Sequence, residues 1–331
     1  MKKIIVFSVT MIVTIISFAQ MQLATLKHND NISAFYGVDA LKNAHNSAVN
    51  GDIITLSPGS FNAVNITKAV TIRGAGMFID TVAGTNPTHI NGNFSISIPN
   101  DSIYHLTLEG LYIPHTIYAI NSYKTNIIKC MINKYERTSN VTVYNVHGDN
   151  TTIINCIIES LSTDKMVNTQ VLNSVILSFG SSNAEYSTIF SNCVVRICST
   201  TNHSFFNSIL YCNSTGYSTY NAFNCIGIFT VTYTNGNYFL SPLLNGCKNY
   251  SSLSAVFKDF DGTYINGETT FELQDSIANT MLGQDGTQVG IYGGYMPFDA
   301  RVSNPLIRKI NVANRSTADG KLSVDIEVVS E

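Results

Sequence analysis

Apolar and polar residues alternate along this chain in short bursts. Phe94, Ile96 and Ile98 are separated by Ser95 and Ser97, a period of two that predicts strands rather than helices. Five later segments carry a second pattern. Ile153-Ile154-Asn155-Cys156-Ile157-Ile158, Val171-Leu172-Asn173-Ser174-Val175-Ile176 and Phe190-Ser191-Asn192-Cys193-Val194-Val195 are three of them; Phe205-Phe206-Asn207-Ser208-Ile209-Leu210 and Ala222-Phe223-Asn224-Cys225-Ile226-Gly227 complete the set. Each runs from apolar residues into Asn, then Cys or Ser, then a mostly aliphatic pair. The asparagines stand 18, 19, 15 and 17 residues apart. Backwards, Gly74, Asn93, Gly110 and Lys129 occupy the same bend, at intervals of 19, 17 and 19, then 26 to Asn155. Gly and Asn tolerate the left-handed backbone that a tight corner requires, and Lys129 is the exception. The longest interval places an inserted loop within residues 134–150.

A helical repeat needs a longer period and amphipathic helices. A turn of about 18 residues holding two or three short strands is instead one coil of a right-handed parallel β-helix. Coils stack about 4.8 Å apart, so like residues form ladders. The chain is therefore expected to be all-β: a solenoid with a short N-terminal capping helix and a small C-terminal strand pair. That pair is read from two alternating runs, residues 307–312 and 321–328, joined through Asp319-Gly320.

The register assigns inside and outside. The residue after each Asn points inward, and the second points outward: Ile157, Val175, Val194, Ile209 and Ile226. A sheet apolar on both faces is normally covered, so a long loop, the C-terminal tail or a partner is expected over this column. The fourth residues, Glu159, Leu177, Arg196, Tyr211 and Ile228, also face outward. Glu159 and Arg196 are then about 10 Å apart with Leu177 between them, too far for a direct hydrogen bond. Cys156, Cys193 and Cys225 read as small core residues that alternate with Ser174 and Ser208. Among seven cysteines, Cys130 with Cys156 and Cys198 with Cys212 are the pairs that adjacent coils can bring together.

Composition adds compartment and exclusions. Charged residues are only 12% of the chain, and the net charge is −3 without basic blocks, so the cationic footprint of a nucleic-acid binder is missing. Met1-Lys2-Lys3, an apolar run from Ile4 to Phe18, and a small-residue end at Ala19 read as a signal peptide over residues 1–19. The apolar run is short for a bilayer, which takes about 20 residues. No later run is longer, so no integral membrane segment is expected in the mature chain, and secretion or the cell surface is, with the periplasm as the other compartment.

Gly51-Asp52-Ile53-Ile54-Thr55-Leu56-Ser57-Pro58-Gly59-Ser60-Phe61, followed by Val70-Thr71-Ile72-Arg73-Gly74, resembles the opening coil of the pectin-lyase-like right-handed β-helix superfamily. Leu41, Ala44, His45 and Ala48 share a helical face, with Gly51 placed to end the helix, as in the cap of such solenoids. Residues 271–276 and 283–294 resemble the closing segment of secreted β-helix proteins of Bacteroides-like bacteria. Asp80-Thr81, Asp101-Ser102 and Asp275-Ser276 are similar to O-glycosylation sites of the same bacteria. The resemblance covers roughly residues 35–300 and implies the fold more than a function.

Enzymes of that superfamily use Asp clusters with calcium, Arg or Lys bases, or paired Asp on adjacent coils. The chain has no Asn-Thr-Asp, no Asp-Asp and no Gly-His-Gly. Glu159 and Arg196 remain as outward charges. His147-Gly148-Asp149-Asn150, with Glu136 and Arg137, sits in the inserted loop. Asp259-Phe260-Asp261-Gly262 resembles part of a calcium loop but lacks the later ligands, and Gly74-Ala75-Gly76 lacks the third glycine of a dinucleotide loop. No catalytic residue is assigned, and no metal or cofactor is expected. The domains read as 1–19 signal peptide, 20–300 β-helix and 301–331 tail. The function reads as a non-catalytic module binding polysaccharide or a surface protein, with a polysaccharide lyase or hydrolase as the alternative.

Overall fold

The computed structural model describes residues 22–81, 85–98, 103–121, 124–136, 150–163, 167–180, 187–199, 203–212, 221–229, 245–263, 269–301, 306–312 and 324–329. The leader read over residues 1–19 lies outside them, as does most of the loop inserted after Glu136, including His147, Gly148 and Asp149. The architecture is an all-β parallel β-helix in which two sheets, of eleven and twelve strands, run side by side.

The corner between the sheets explains the sequence pattern. Asn155, Asn173, Asn192, Asn207 and Asn224 have φ of 53°, 45°, 54°, 49° and 51°. Each turns the chain from a strand of the eleven-stranded sheet into one of the twelve-stranded sheet. Each bend amide donates to the carbonyl just before the next bend: Asn155 to Leu172 (3.2 Å), Asn173 to Ser191, Asn192 to Phe206 and Asn207 to Phe223 (3.0 Å each). The asparagines therefore stack, one per coil. Gly110 (φ 64°) and Lys129 (φ 52°) continue the column towards the N-terminus. A side chain other than Gly or Asn costs about 1 kcal/mol there, and Lys129 carries that strain.

Two rungs differ from the sequence reading. Asn93 is not a bend of this column. Thr71–Arg73 pairs directly with Leu106–Glu109, and the Gly74 amide donates to the Glu109 carbonyl at 2.8 Å, so a single coil runs from Gly74 to Gly110. Its excursion holds two strands of the twelve-stranded sheet, Thr88–Asn91 and Phe94–Ser97, with Gly92 (φ 102°) and Asn93 in the kink between them. Gly74 is needed for space, because a Cβ there would sit 2.4 Å from the Gly110 carbonyl oxygen. At the far end a further rung appears. Asn224 donates to the Asn245 carbonyl (2.7 Å), Gly246 bends at φ 70°, and Lys248–Tyr250 pairs with Ile226–Phe229.

Inward residues make one core. Ile153, Val171, Phe190 and Phe205 line it from one sheet, and Ile158, Ile176, Val195 and Leu210 from the other. Phe190 and Phe205 stack with centroids 4.9 Å apart. Beside the bends runs a column of Cys130, Cys156, Ser174, Cys193, Ser208, Cys225 and Cys247, and it is more than small filler. The backbone amide of one member donates to the sulfur or oxygen of the next: Cys156 to Ser174 Oγ (3.0 Å), Cys193 to Ser208 Oγ (3.0 Å), Cys225 to Cys247 Sγ (3.4 Å). Each side chain in turn donates to the carbonyl two residues back, as Ser174 Oγ does to Leu172 (2.7 Å) and Cys193 Sγ to Ser191 (3.2 Å). The column thus needs a small side chain that donates and accepts, and Cys and Ser both qualify. Cys193→Ser is expected to change stability by less than about 0.5 kcal/mol, whereas Cys193→Val, which leaves a buried amide unpaired, costs about 2 kcal/mol. Urea denaturation of the two variants measures the difference; equal costs contradict it.

All seven cysteines are free thiols. Cys130 and Cys156 do lie on adjacent coils, with the Cys130 amide 3.4 Å from Cys156 Sγ, and burial raises both thiols, Cys156 to about 12. Cys198 and Cys212 do not face one another. Arg196 pairs with Tyr211, which sets Cys212 beside Ile197; Cys198 points out to Ser178 Oγ at 3.4 Å while Cys212 is buried.

The N-terminal end is closed by a hairpin, Leu23–His28 with Asn31–Tyr36, and by the cap helix Ala40–Ser47. The helix buries Ala40, Leu41, Ala44 and His45. It stops earlier than Gly51: Ala48 is already extended, and Gly51 (φ 93°) instead turns the chain into Ile53–Leu56. His45 Nε2 accepts the Thr67 amide at 3.4 Å, and Lys68 Nζ donates to the carbonyls of His45 and Asn46 at the helix end. Burial, with Lys68 adding repulsion, holds His45 down at about 4. Below its ordinary value of 6.5 the unfolded chain takes up a proton that the folded chain refuses. The stability contributed by His45 is thus complete above that value and is lost as the pH falls towards 4, by about 3 kcal/mol in all. Stability of wild type and His45→Gln compared across this range measures it; curves of equal slope contradict it. Near the C-terminus of the chain, Leu306–Val312 and Val324–Val329 form the expected antiparallel pair.

Candidate functional site

The outer face of the twelve-stranded sheet carries the unusual column. His89, Tyr112, Met131, Ile157, Val175, Val194, Ile209 and Ile226 stack in register on successive coils. From Ile157 onward these residues are buried, as are Tyr211 and Ile228 beside them. The cover is this chain's own C-terminal segment, residues 253–263 and 269–298, which lies back over the sheet as a strap. Val256, Phe257, Phe260, Phe271, Ile277, Val289 and Ile291 form a second core with the column. Phe260 meets Tyr211 edge-on at 5.7 Å and packs against Phe271 at 4.8 Å. The segment read as a closing element is thus a second layer.

The bend asparagines hold the strap. Asn173 Nδ2 donates to the carbonyls of Ile291 (2.9 Å) and Gly293 (2.7 Å), and Asn155 Nδ2 to Pro297 (3.4 Å). The Gly290 amide donates to the Asn207 carbonyl (2.8 Å), and the Gln284 amide to Asn207 Oδ1 (3.2 Å). The glycines of the strap permit this approach: a Cβ on Gly283 would sit 2.7 Å from the Asn207 carboxamide. Asn155, Asn173, Asn192 and Asn207 therefore have two roles, a left-handed corner and a carboxamide that clips the strap.

Beside Gly262 and Thr263 of the strap, the face carries a cleft of about 490 Å³. Tyr112, Met131, Asn133, Ile157, Glu159, Leu177, Ser178 and Arg196 line it from five successive coils, with Gly262 and Thr263 of the strap as one wall. At about 4.8 Å per coil it spans about 19 Å parallel to the solenoid axis. Glu159 and Arg196 both line it, two coils apart with Leu177 between them, as the register requires. Tyr211 and Ile228, of the same column, lie under the strap instead. Burial raises the Tyr211 hydroxyl, and the Arg196 charge opposes that rise. At the other end of the cleft His89 packs on Tyr112 with ring centroids 4.4 Å apart. Burial, and His115 next to it, lower His89 below its ordinary value. His89 and Tyr112 lie in coils beyond the Asn repeat, so the sequence pattern did not single them out.

The other acidic motif is used in turns. Asp259 Oδ2 accepts the Thr270 amide and hydroxyl (2.7 Å each), Asp261 Oδ1 accepts the Thr263 amide (2.9 Å), and Phe260 is core. A smaller depression of about 290 Å³ lies on the eleven-stranded sheet, between Asn150, Thr152, Asn168, Gln170 and Ser187. Asn168 Nδ2 donates to Asn150 Oδ1 there at 3.2 Å. Comparison with protein-family models, curated proteins and solved structures gives no match for this chain.

Proposed function

We propose that this is an exported β-helix of the pectin-lyase-like kind whose outer-face cleft binds a polysaccharide without cleaving it. The observation that carries this reading is the cleft itself, an open trough of about 490 Å³ running along the solenoid axis. Its floor offers Tyr112 for a sugar face, Asn133 and Ser178 for hydroxyls, and Glu159 and Arg196 as charged anchors. The long outer face of a stacked solenoid suits a polymer, because each coil presents an equivalent step. Glu159 and Arg196, two coils apart, are too far apart for a direct hydrogen bond to one another. A basic leader at Met1-Lys2-Lys3 and a low charge content fit secretion or surface display.

A lyase or hydrolase is the second reading, and His89 beside Tyr112 is the observation that favours it. A neutral imidazole next to a phenol is equipped to take and return a proton. One experiment addresses both. Purified protein is passed over a panel of immobilised uronate-containing and neutral polysaccharides, and the eluate is assayed for released fragments. The proposal expects retention on at least one polymer, weakened at least ten-fold in Arg196→Ala and Tyr112→Ala, with no fragments. Maleimide labelling of the exposed Cys198, 3.4 Å from Ser178 at the cleft floor, slows when the polymer is bound. Fragment release replaces the proposal by the second reading. Retention that neither variant weakens removes the cleft from both.

A further inference from the structure

Thr125, Thr151, Thr169 and Thr188 open four successive coils and point into the core, each at most 1% exposed. Their register is fixed by strand pairing: Thr169 opposite Thr188, Asn126 opposite Thr152, and Thr152 opposite Gln170, which places Thr125, Thr151 and Thr169 in one line. Below Thr188 the column ends at His203, whose Nδ1 accepts the Thr188 amide at 3.0 Å. The four Thr hydroxyl oxygens are buried without a protein partner. A lone buried hydroxyl costs about 1–3 kcal/mol, and four in one column is a pattern rather than an accident of packing. Val would fill the same volume at each position and suit a strand equally well.

The coil repeat explains what a hydroxyl adds there. Stacked hydroxyls about 4.8 Å apart are too distant to bond directly. Two O–H···O bonds of about 2.8 Å that meet at the near-tetrahedral angle of a water span about 4.6 Å, which matches that repeat. We infer that the threonine column binds a single file of buried water, one molecule between each pair of successive hydroxyls. Each water accepts from one Thr and donates to the next, so every interior Thr hydroxyl both donates and accepts. The file gives the core a hydrogen-bonded polar seam along one corner, opposite in character to the Cys/Ser column, which closes its bonds without water.

Magnetic relaxation dispersion of solvent water counts long-lived buried molecules in the folded protein and supplies the test. Thr169→Val removes the hydroxyl between two waters, so both are expected to leave the count. Thr169→Ser keeps the hydroxyl and is expected to keep them. The unfolding equilibrium constant of the Val variant is expected to rise about ten-fold. If Thr169→Val does not fold, Thr188→Val at the end of the column is expected to lose one water. An unchanged count in the Val variant, or a loss in the Ser variant equal to that in Val, overturns the inference.

Discussion

Val194→Lys is expected to destabilise the fold by about 4 kcal/mol. Val194 points away from the solenoid interior, yet it is 1% exposed because the strap lies over it. Lysine would lose the burial of the valine and place an ammonium among Val175, Ile209 and Ile291, which form one apolar cluster with it. Nothing in that cluster carries a compensating charge. Ile189→Lys is the matched control. It also faces outward, from the other sheet, and is 42% exposed, so its expected cost is below about 0.5 kcal/mol. Urea denaturation of both variants measures the contrast. Equal costs would mean that the outer face is bare.

The second large effect concerns the two roles of the bend asparagines. Asn173→Ala removes two hydrogen bonds to the strap and puts alanine, which tolerates the left-handed region less well than asparagine, at φ 45°. The lost bonds account for about 2 kcal/mol and the strained corner for about 1 kcal/mol more. Asn173→Gly loses the same bonds but keeps the corner relaxed, so its cost stays near 2 kcal/mol before the extra backbone freedom of glycine is added. If Ala costs clearly less than Gly, the corner is not strained. If Gly costs nothing, the strap contacts contribute nothing either. Both variants should loosen the strap first, read as increased protease cutting between residues 283 and 298 while the coils stay intact.

The middle of the solenoid was legible because one residue type marks each corner. Asparagine at φ near 50° repeats once per coil from Asn155 to Asn224, and inside and outside follow from counting two by two. Towards the N-terminus the mark fails. The coil from Gly74 to Gly110 carries extra strands whose alternation is the same as that of a full coil, so Gly92-Asn93 passes for a corner. Gly246 at the far end was missed for another reason: Lys248 stands where other coils have an aliphatic residue, although Cys247 keeps the inward pattern. The outward apolar column showed that a cover was needed. It did not show which segment supplies it, because residues 253–263 and 269–298 are mostly turns whose apolar residues follow no period. The cleft was out of reach for the same reason, since Gly262 and Thr263 of the strap form one of its walls. The Cys/Ser alternation looked like size selection, and its cause is hydrogen bonding across coils.

The asparagine column docks the strap on the outer face, and amide hydrogen exchange at Gly290 is the measurement closest to that contact. The Gly290 amide donates to Asn207 at 2.8 Å and sits beside the second core. A docked strap predicts that it exchanges many-fold more slowly than an unstructured peptide and that Asn173→Gly speeds it, while Ile209 in the sheet below keeps its wild-type rate. Exchange at the unstructured rate in the wild-type protein would contradict the account.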